Sequence, residues 1–272
     1  MTSPHSEVLA NESAVAISVT ALSKQFPNGT LAVNNVSFSV PGGQVVGLLG
    51  LSGSGKSTLM RLLNGLHTPT SGSIDLLGMS VGDAKGKELR EIRRQTGFIF
   101  QQFGLVGRAT CLENVLIGAL GRLRGPRFGV RSYPKALRIL ALERLERVGL
   151  GAQAFQRAET LSGGQMQRVA IARSLMQEPN VLLADEPVAS LDPESSNQVL
   201  DLISTIARED GMTVLCSLHQ VELAIGRTDR LIGLRDGQIV LDQLTAGIDQ
   251  AVVMDLYRRS GTSEMEPEAA YA

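Results

Sequence analysis

The sequence has no tryptophan, and only three tyrosines, three histidines and two cysteines among its 272 residues. Two widely separated cysteines, Cys111 and Cys216, cannot build a disulfide scaffold or a thiolate metal cage. They are expected as buried free thiols, which suits a reducing compartment. An excess of charge is also lacking: 26 basic against 27 acidic residues leave a net charge of −1. No broad basic field points to a nucleic acid partner. No apolar run approaches the roughly 20 residues needed to cross a bilayer, so work at a membrane would need another chain to do the spanning. The first residues, Met1–Ser13, lack the basic start and apolar stretch of a secretory signal. Repeats and low-complexity blocks are absent as well.

What is present is ample apolar material, 43% of residues, enough to bury a sizeable core. Residues 16–22 and 31–40 read as strands, the second close to strict alternation. Pro41-Gly42-Gly43 marks a turn before Val45–Leu49, a nearly all-apolar run expected of a strand buried on both faces. A helix is expected over Ser57–Leu66. Further strands are expected at 74–77 and 96–100, with a charged helix at 85–94 between them. From about residue 103 the pattern turns helical, over 113–120 and 134–148, where Leu137, Leu140, Ala141, Leu145 and Val148 share one face. A helix over 164–177, a strand at 181–184, a helix at 197–209 and a strand at 213–218 follow. Asp236-Gly237 between two short strands is a hairpin signal. Residues 1–14 read as a loose leader, and the acidic segment 262–272 as a flexible tail.

Chemistry enters at Gly50-Leu51-Ser52-Gly53-Ser54-Gly55-Lys56-Ser57, which matches G-x-x-x-x-G-K-[ST]. Glycines let backbone N–H groups close on a polyphosphate, and the following helix start adds its positive end. Lys56 is placed to reach the β- and γ-phosphates of a nucleotide. Ser57 is placed to offer its hydroxyl to Mg2+, with Thr58 beside it. A chance glycine-rich turn is the alternative, but the match lies between an apolar strand and a helix, where such a loop belongs.

A second constellation ends the strand 181–184: Asp185-Glu186. Ligands gather at the C-terminal ends of parallel strands. Asp185 would therefore orient a magnesium ion near the loop, and Glu186 would polarise a water aimed at the γ-phosphate. A solvated acidic turn is the plain alternative.

Leu161-Ser162-Gly163-Gly164-Gln165 reads locally as a capped helix start, with Ser162 as the cap. In order with the phosphate loop and Asp185-Glu186, it resembles the signature of the ABC transporter ATPases, a resemblance covering about residues 16–245. That resemblance implies an α/β fold, a P-loop (RecA-like) ATPase core with an antiparallel β subdomain and an inserted helical subdomain. It divides the chain into one ABC ATPase domain over 15–261, with core segments 15–102 and 166–261 and a helical subdomain over 103–165. It also implies two copies packed head to tail, so that Ser162, Gly163, Gly164 and Gln165 of one close over the ATP of the other.

The same resemblance assigns Phe26 to stacking on adenine, with a core phenylalanine as the alternative. It assigns Gln101 to contact with magnesium and the attacking water, although Gln102 beside it leaves the register open. Asp192, in Ser190-Leu191-Asp192, is implied to cross the dimer interface, while Asp192-Pro193-Glu194 also reads as a helix start. His219 is implied to hold the γ-phosphate. Glu186, His219, Lys56 and Gln101 thus form the expected catalytic set, with ATP and Mg2+ bound. The expected partners are a second copy, integral-membrane permease subunits and, through them, a solute-binding protein, at the cytoplasmic face of a bacterial inner membrane.

The segments 184–195, Ser217-Leu218-His219-Gln220-Val221-Glu222, 97–103 and 112–116 are most similar to those of phosphonate-import ATPases. Import of phosphite, a phosphate ester or an amino acid is the alternative, as is a soluble ABC ATPase outside transport. Arg122, Arg124, Arg127 and Arg131 read as a basic solvated loop, with a lipid or permease contact as the minor alternative.

Overall fold

The computed structural model describes residues 14–123, 125, 129–248 and 253. The expected leader, apart from Ala14, and the expected tail lie outside the described residues. The chain opens with β1 (Val15–Gln25), β2 (Leu31–Pro41) and β3 (Val45–Leu49), then α1 (Lys56–Leu63). Next come β4 (Ser71–Leu76), β5 (Met79–Ser80), α2 (Gly86–Gln95) and β6 (Thr96–Ile99). A helical stretch holds α3 (Cys111–Ile117), α4 (Lys135–Arg147) and α5 (Gly163–Leu175). The last elements are β7 (Val181–Ala184), α6 (Pro193–Asp210), β8 (Thr213–Leu218), α7 (Val221–Ala224), β9 (Arg230–Arg235) and β10 (Gln238–Leu244).

The strands form two sheets. One is antiparallel, in the order β2-β1-β4-β5. The other runs β10-β9-β3-β8-β7-β6 and is parallel except at the β9–β10 hairpin. That hairpin turns at Asp236 and Gly237, both with positive φ (50° and 76°), the backbone signature of a tight type I′ turn. The alternation expected across 31–40 breaks at Asn34-Asn35. There the β1–β2 register shifts and Asn35 takes φ 52°, so the strand resumes with Val36, Phe38 and Val40 inward.

The parallel sheet is buried on both faces, which is why its strands are apolar throughout. In β3, Val46 and Leu48 pack with β1, β2 and α1, whereas Val45 and Leu49 face the other core. The strands β7 and β8 divide in the same way: Leu183 and Leu215 go to the first core, Ala184, Val214 and Cys216 to the second. The second core continues into the helical stretch, where Val115 of α3, Ala141 and Leu145 of α4 and Val169 of α5 are fully buried. Both cysteines are buried free thiols, and burial beside Asp185 pushes the Cys216 thiol up to about 12. Leu145→Ala is expected to cost about 2–5 kcal/mol of stability by leaving a cavity between α3, α4 and α5. Urea denaturation of the purified chain measures it, and a loss below about 1 kcal/mol would contradict this packing.

Three local expectations shift. The helix expected at 113–120 starts at Cys111, because Thr110 and Glu113 form a reciprocal capping box, and it tightens into a 3-10 turn over Gly118–Arg122. Gly118 lies against α5 so closely that a Cβ there would stand 2.2 Å from the Arg173 carbonyl oxygen. The helix expected at 197–209 begins earlier, at Pro193, capped by Asp192. The basic segment is not uniformly solvated: Arg122 pairs with Glu178 and donates to the Gln177 carbonyl, while Arg131 is exposed. Arg124 and Arg127 lie outside the described residues. No described helix is long and apolar enough to cross a membrane.

Candidate functional site

The parallel strands deliver their C-terminal ends to one place. Leu49 of β3 is level with Leu218 of β8, and Ala184 of β7 is level with both Ile99 of β6 and Cys216 of β8. Residues just past these ends therefore converge: Gly50 onward from β3, Asp185 and Glu186 from β7, and His219 from β8.

The loop after β3 turns on Gly50, Gly53 and Gly55, with φ of 152°, 80° and 106°. Two of these glycines are also forced by contact. A Cβ on Gly50 would meet the Leu234 carbonyl oxygen at 2.3 Å, and one on Gly55 the Ala32 carbonyl oxygen at 2.3 Å. Both belong to neighbouring strands, so the loop is clamped between β2 and β9. The helix α1 follows directly, with Gly55 at its N-cap and no side-chain cap. Its first amides are left for an anion rather than for a side chain of the protein.

Lys56 is buried, and its Nζ donates to the carbonyl oxygens of Gly50 (2.8 Å) and Leu51 (2.9 Å). Burial pushes its pKa down, and the charges of Glu186 and Asp185 oppose that shift. Ser57 donates its hydroxyl to Asp185 Oδ1 at 2.9 Å. Thr58 is half-buried on α1, Leu51, Ser52 and Gly53 are exposed, and Ser54 is buried. The Ser57–Asp185 pair offers hydroxyl and carboxylate oxygen, a donor set suited to a hard divalent cation that keeps part of its water shell. Among the described residues no cluster of three or more His, Cys, Asp or Glu side chains could cage a metal by protein alone.

Glu186 follows Asp185 with φ 49°, uncommon for a non-glycine residue. Its Oε1 lies 2.6 Å from Nε2 of His219. The carboxylate side chain is largely buried, while the imidazole is more open. One participant was not anticipated as a site residue from the sequence. Ser217, in β8 and wholly buried, donates its hydroxyl to Asp185 Oδ1 at 3.1 Å and accepts the Glu186 N–H at 2.8 Å. The signal available in the sequence is a polar residue inside an otherwise apolar central strand, two positions before His219.

Other expected residues lie apart. Gln101 and Gln102 are both exposed and share a cavity of about 470 Å³ with Phe103, Met166 and Ser190. Among the described residues Gln101 makes no hydrogen bond to Ser57, Asp185, Glu186 or His219, so side-chain contacts do not separate it from Gln102. Phe26 belongs to neither core cluster. It is half-buried just past β1, with the His67 ring edge-on at 5.6 Å and Lys24 Nζ 5.4 Å from its centroid. Burial, then Arg61 and Lys24, push the His67 pKa down.

Ser162 caps α5 in a capping box with Gln165, whose N–H and Oε1 pair with the serine hydroxyl and N–H at 3.3 and 3.0 Å. Gly163 and Gly164 leave room for Leu191 and Ser195, which a Cβ would approach to 3.2 and 3.1 Å. Asp192 accepts from Ser195 N–H at 2.9 Å and caps α6. Among the described residues, none of 162–165 hydrogen-bonds to the loop of 50–58.

Comparison with known proteins gives concordant findings. The family described as ABC transporter matches residues 33–189. The "Phosphonates import ATP-binding protein PhnC" of Frankia casuarinae is 60% identical over 245 residues, covering 89% of this chain and 96% of that protein. The "Phosphate-import ATP-binding protein PhnC" of Mycolicibacterium smegmatis is 57% identical, covering 85% of this chain and 88% of that protein. Among solved structures, a dimeric post-hydrolysis state of the ATP-binding cassette MJ0796 bound to ADP and Pi superposes with a TM-score of 0.75 at 34% identity, covering 85% of this chain and all of that one. The cbiO1 protein of Clostridium perfringens, part of the ABC transporter complex cbiONQ, gives 0.77 at 27% identity, covering 90% of this chain and 96% of that one.

Proposed function

Since this chain belongs to the ABC transporter family, whose match spans more than half of its residues, we propose that it is the ATP-hydrolysing subunit of an importer whose cargo is a phosphonate. The observation that carries the ATPase reading is the meeting of Ser57, Asp185, Glu186 and His219 beside an uncapped helix start and a glycine-clamped loop. The chain binds ATP as substrate. In our reading the amides of Gly50–Thr58 and the Lys56 ammonium hold the phosphates, and Phe26 stacks on the adenine. Ser57, Asp185 and Gln101 would hold Mg2+, which when bound would neutralise charge on the phosphate oxygens.

Glu186 orients and polarises the attacking water. His219, at hydrogen-bond distance from it, keeps the carboxylate in register and reaches the γ-phosphate. Lys56 stabilises charge that grows on the transferring group. Positioning and electrostatics do most of the work in such a reaction. A second copy presents Ser162, Gly163, Gly164 and Gln165 to complete the pocket, with Asp192 crossing between the two. Among the described residues, 162–165 make no hydrogen bond to the loop of 50–58 of their own chain, which supports this arrangement.

Gln101 and the segment 103–165 carry the motion to permease subunits, which take cargo from a solute-binding protein. The division of residues 15–261 into two core segments and this helical subdomain belongs to the same reading. The chain works peripherally at the cytoplasmic face of the bacterial inner membrane and binds no nucleic acid. Phosphate is the competing cargo, because the two most informative relatives carry names that differ on this point.

The test is the chain reconstituted in nanodiscs with its permease and solute-binding protein. Methylphosphonate is expected to stimulate ATP hydrolysis several-fold more than inorganic phosphate does. Stimulation by phosphate alone would overturn the cargo assignment, and stimulation by neither would overturn import of either anion.

A further inference from the structure

We infer that Ser217 is a positioning residue for ATP hydrolysis, setting the directions in which Asp185 and Glu186 present their carboxylates. The inference rests on the ATPase reading above and adds a residue to it. A serine hydroxyl has one proton to donate and two lone pairs. Here the proton goes to Asp185 Oδ1 and one lone pair takes the Glu186 N–H, at 3.1 and 2.8 Å. One atom on β8 therefore ties together two consecutive carboxylate residues that leave the end of β7.

Both ties have consequences for the chemistry. The hydroxyls of Ser57 and Ser217 converge on the same oxygen of Asp185. Among the described residues no group hydrogen-bonds Oδ2, so the two serines select Oδ2 as the oxygen that remains free to face solvent or ligand. Glu186, for its part, holds a φ of 49°. A non-glycine residue keeps that conformation only where its surroundings fix it. The Ser217 hydroxyl is what meets its N–H, so it fixes the direction in which the Glu186 side chain leaves toward His219, 2.6 Å away.

A buried serine can also be merely a satisfied polar group in a strand, and the experiment separates the two roles. Thr and Val have nearly the same shape and differ in the hydroxyl, so Ser217→Thr and Ser217→Val are compared, with Ser217→Ala as the smaller control. With the hydroxyl gone, kcat is expected to fall about 10- to 100-fold while the affinity for ATP holds, since the loss is one of alignment. Ser217→Thr is expected to stay close to the parent. Hydrogen exchange at the Glu186 amide, read without turnover, is expected to quicken in the Val and Ala variants and to stay protected in the Thr variant.

Equal kcat in the Thr and Val variants would overturn the inference, as would a loss of ATP affinity in step with kcat or an unchanged exchange rate. Should Val not fold, the Ala variant supplies the same comparison against Thr. If the parent chain itself hydrolyses no ATP, the ATPase reading fails first. If the parent hydrolyses ATP and the Thr and Val variants match it, only the role of Ser217 falls.

Discussion

Glu186→Gln is expected to bind ATP with the parent's affinity and to lose turnover by about 10²- to 10⁴-fold, the usual contribution of a positioned general base. The amide is nearly isosteric, so the loop, α1 and Lys56 keep their shape. What disappears is the negative charge at Oε1, the atom 2.6 Å from His219 Nε2. A neutral amide polarises water far less and can turn its NH2 toward the imidazole. Phosphate release at saturating ATP, beside nucleotide binding by equilibrium dialysis, checks both halves of the statement. Unchanged turnover would remove Glu186 from the chemistry. A parallel loss of binding would make it a structural residue instead. Because hydrolysis no longer separates the pair, this variant with ATP should also elute as a dimer in size-exclusion chromatography.

Lys56→Met is expected to fail at the earlier step. The ammonium of Lys56 is aimed into its own loop, where it donates to the carbonyl oxygens of Gly50 and Leu51. A polyphosphate offers it stronger acceptors. Charge-assisted hydrogen bonds to phosphate contribute about 1.5–3 kcal/mol each. Losing one or two of them weakens ATP binding by about 10- to 10⁴-fold. Stability should move much less. Removing the buried ammonium relieves its desolvation, but it takes a donor from two carbonyls and a counter-charge from Asp185 and Glu186. The net change is expected within about 1 kcal/mol. Fluorescent-nucleotide titration and urea denaturation on the same preparation separate the two quantities. Near-parental affinity would mean that the loop binds its anion through backbone amides alone.

The features legible in the sequence are those set by neighbours along the chain. Val45–Leu49 and Val181–Ala184 are apolar without alternation, and both are strands buried on two faces. The glycines of the phosphate loop are legible from their spacing ahead of Lys56-Ser57, although the contacts that also force Gly50 and Gly55 come from β9 and β2. So is the Ser162 cap, whereas Gln165, which completes a capping box with it, enters only through its place in the signature. Much of what escaped is set by contacts distant in sequence. The 3-10 turn after α3 begins at Gly118, which packs against the Arg173 carbonyl, 55 residues on. The strand β4 opens with Ser71-Gly72-Ser73, which carries no strand pattern of its own and is held by pairing to β1. Ser217 reads as an odd polar residue until β7 is laid beside β8. Phe26 reads as a core or stacking aromatic until His67 appears at its edge.

The outward-facing capping box has a kinetic consequence. Gly163 and Gly164 lie against Leu191 and Ser195, and among the described residues none of 162–165 hydrogen-bonds to the loop they are proposed to complete. In free solution, then, the rate law for the isolated chain should be second order in protein at low concentration, with specific activity climbing as the solution is concentrated. Two copies held on a common permease escape that dependence. Tethering supplies an effective concentration on the order of millimolar, so the membrane partner raises the rate before any cargo arrives, simply by abolishing the search of one copy for the other.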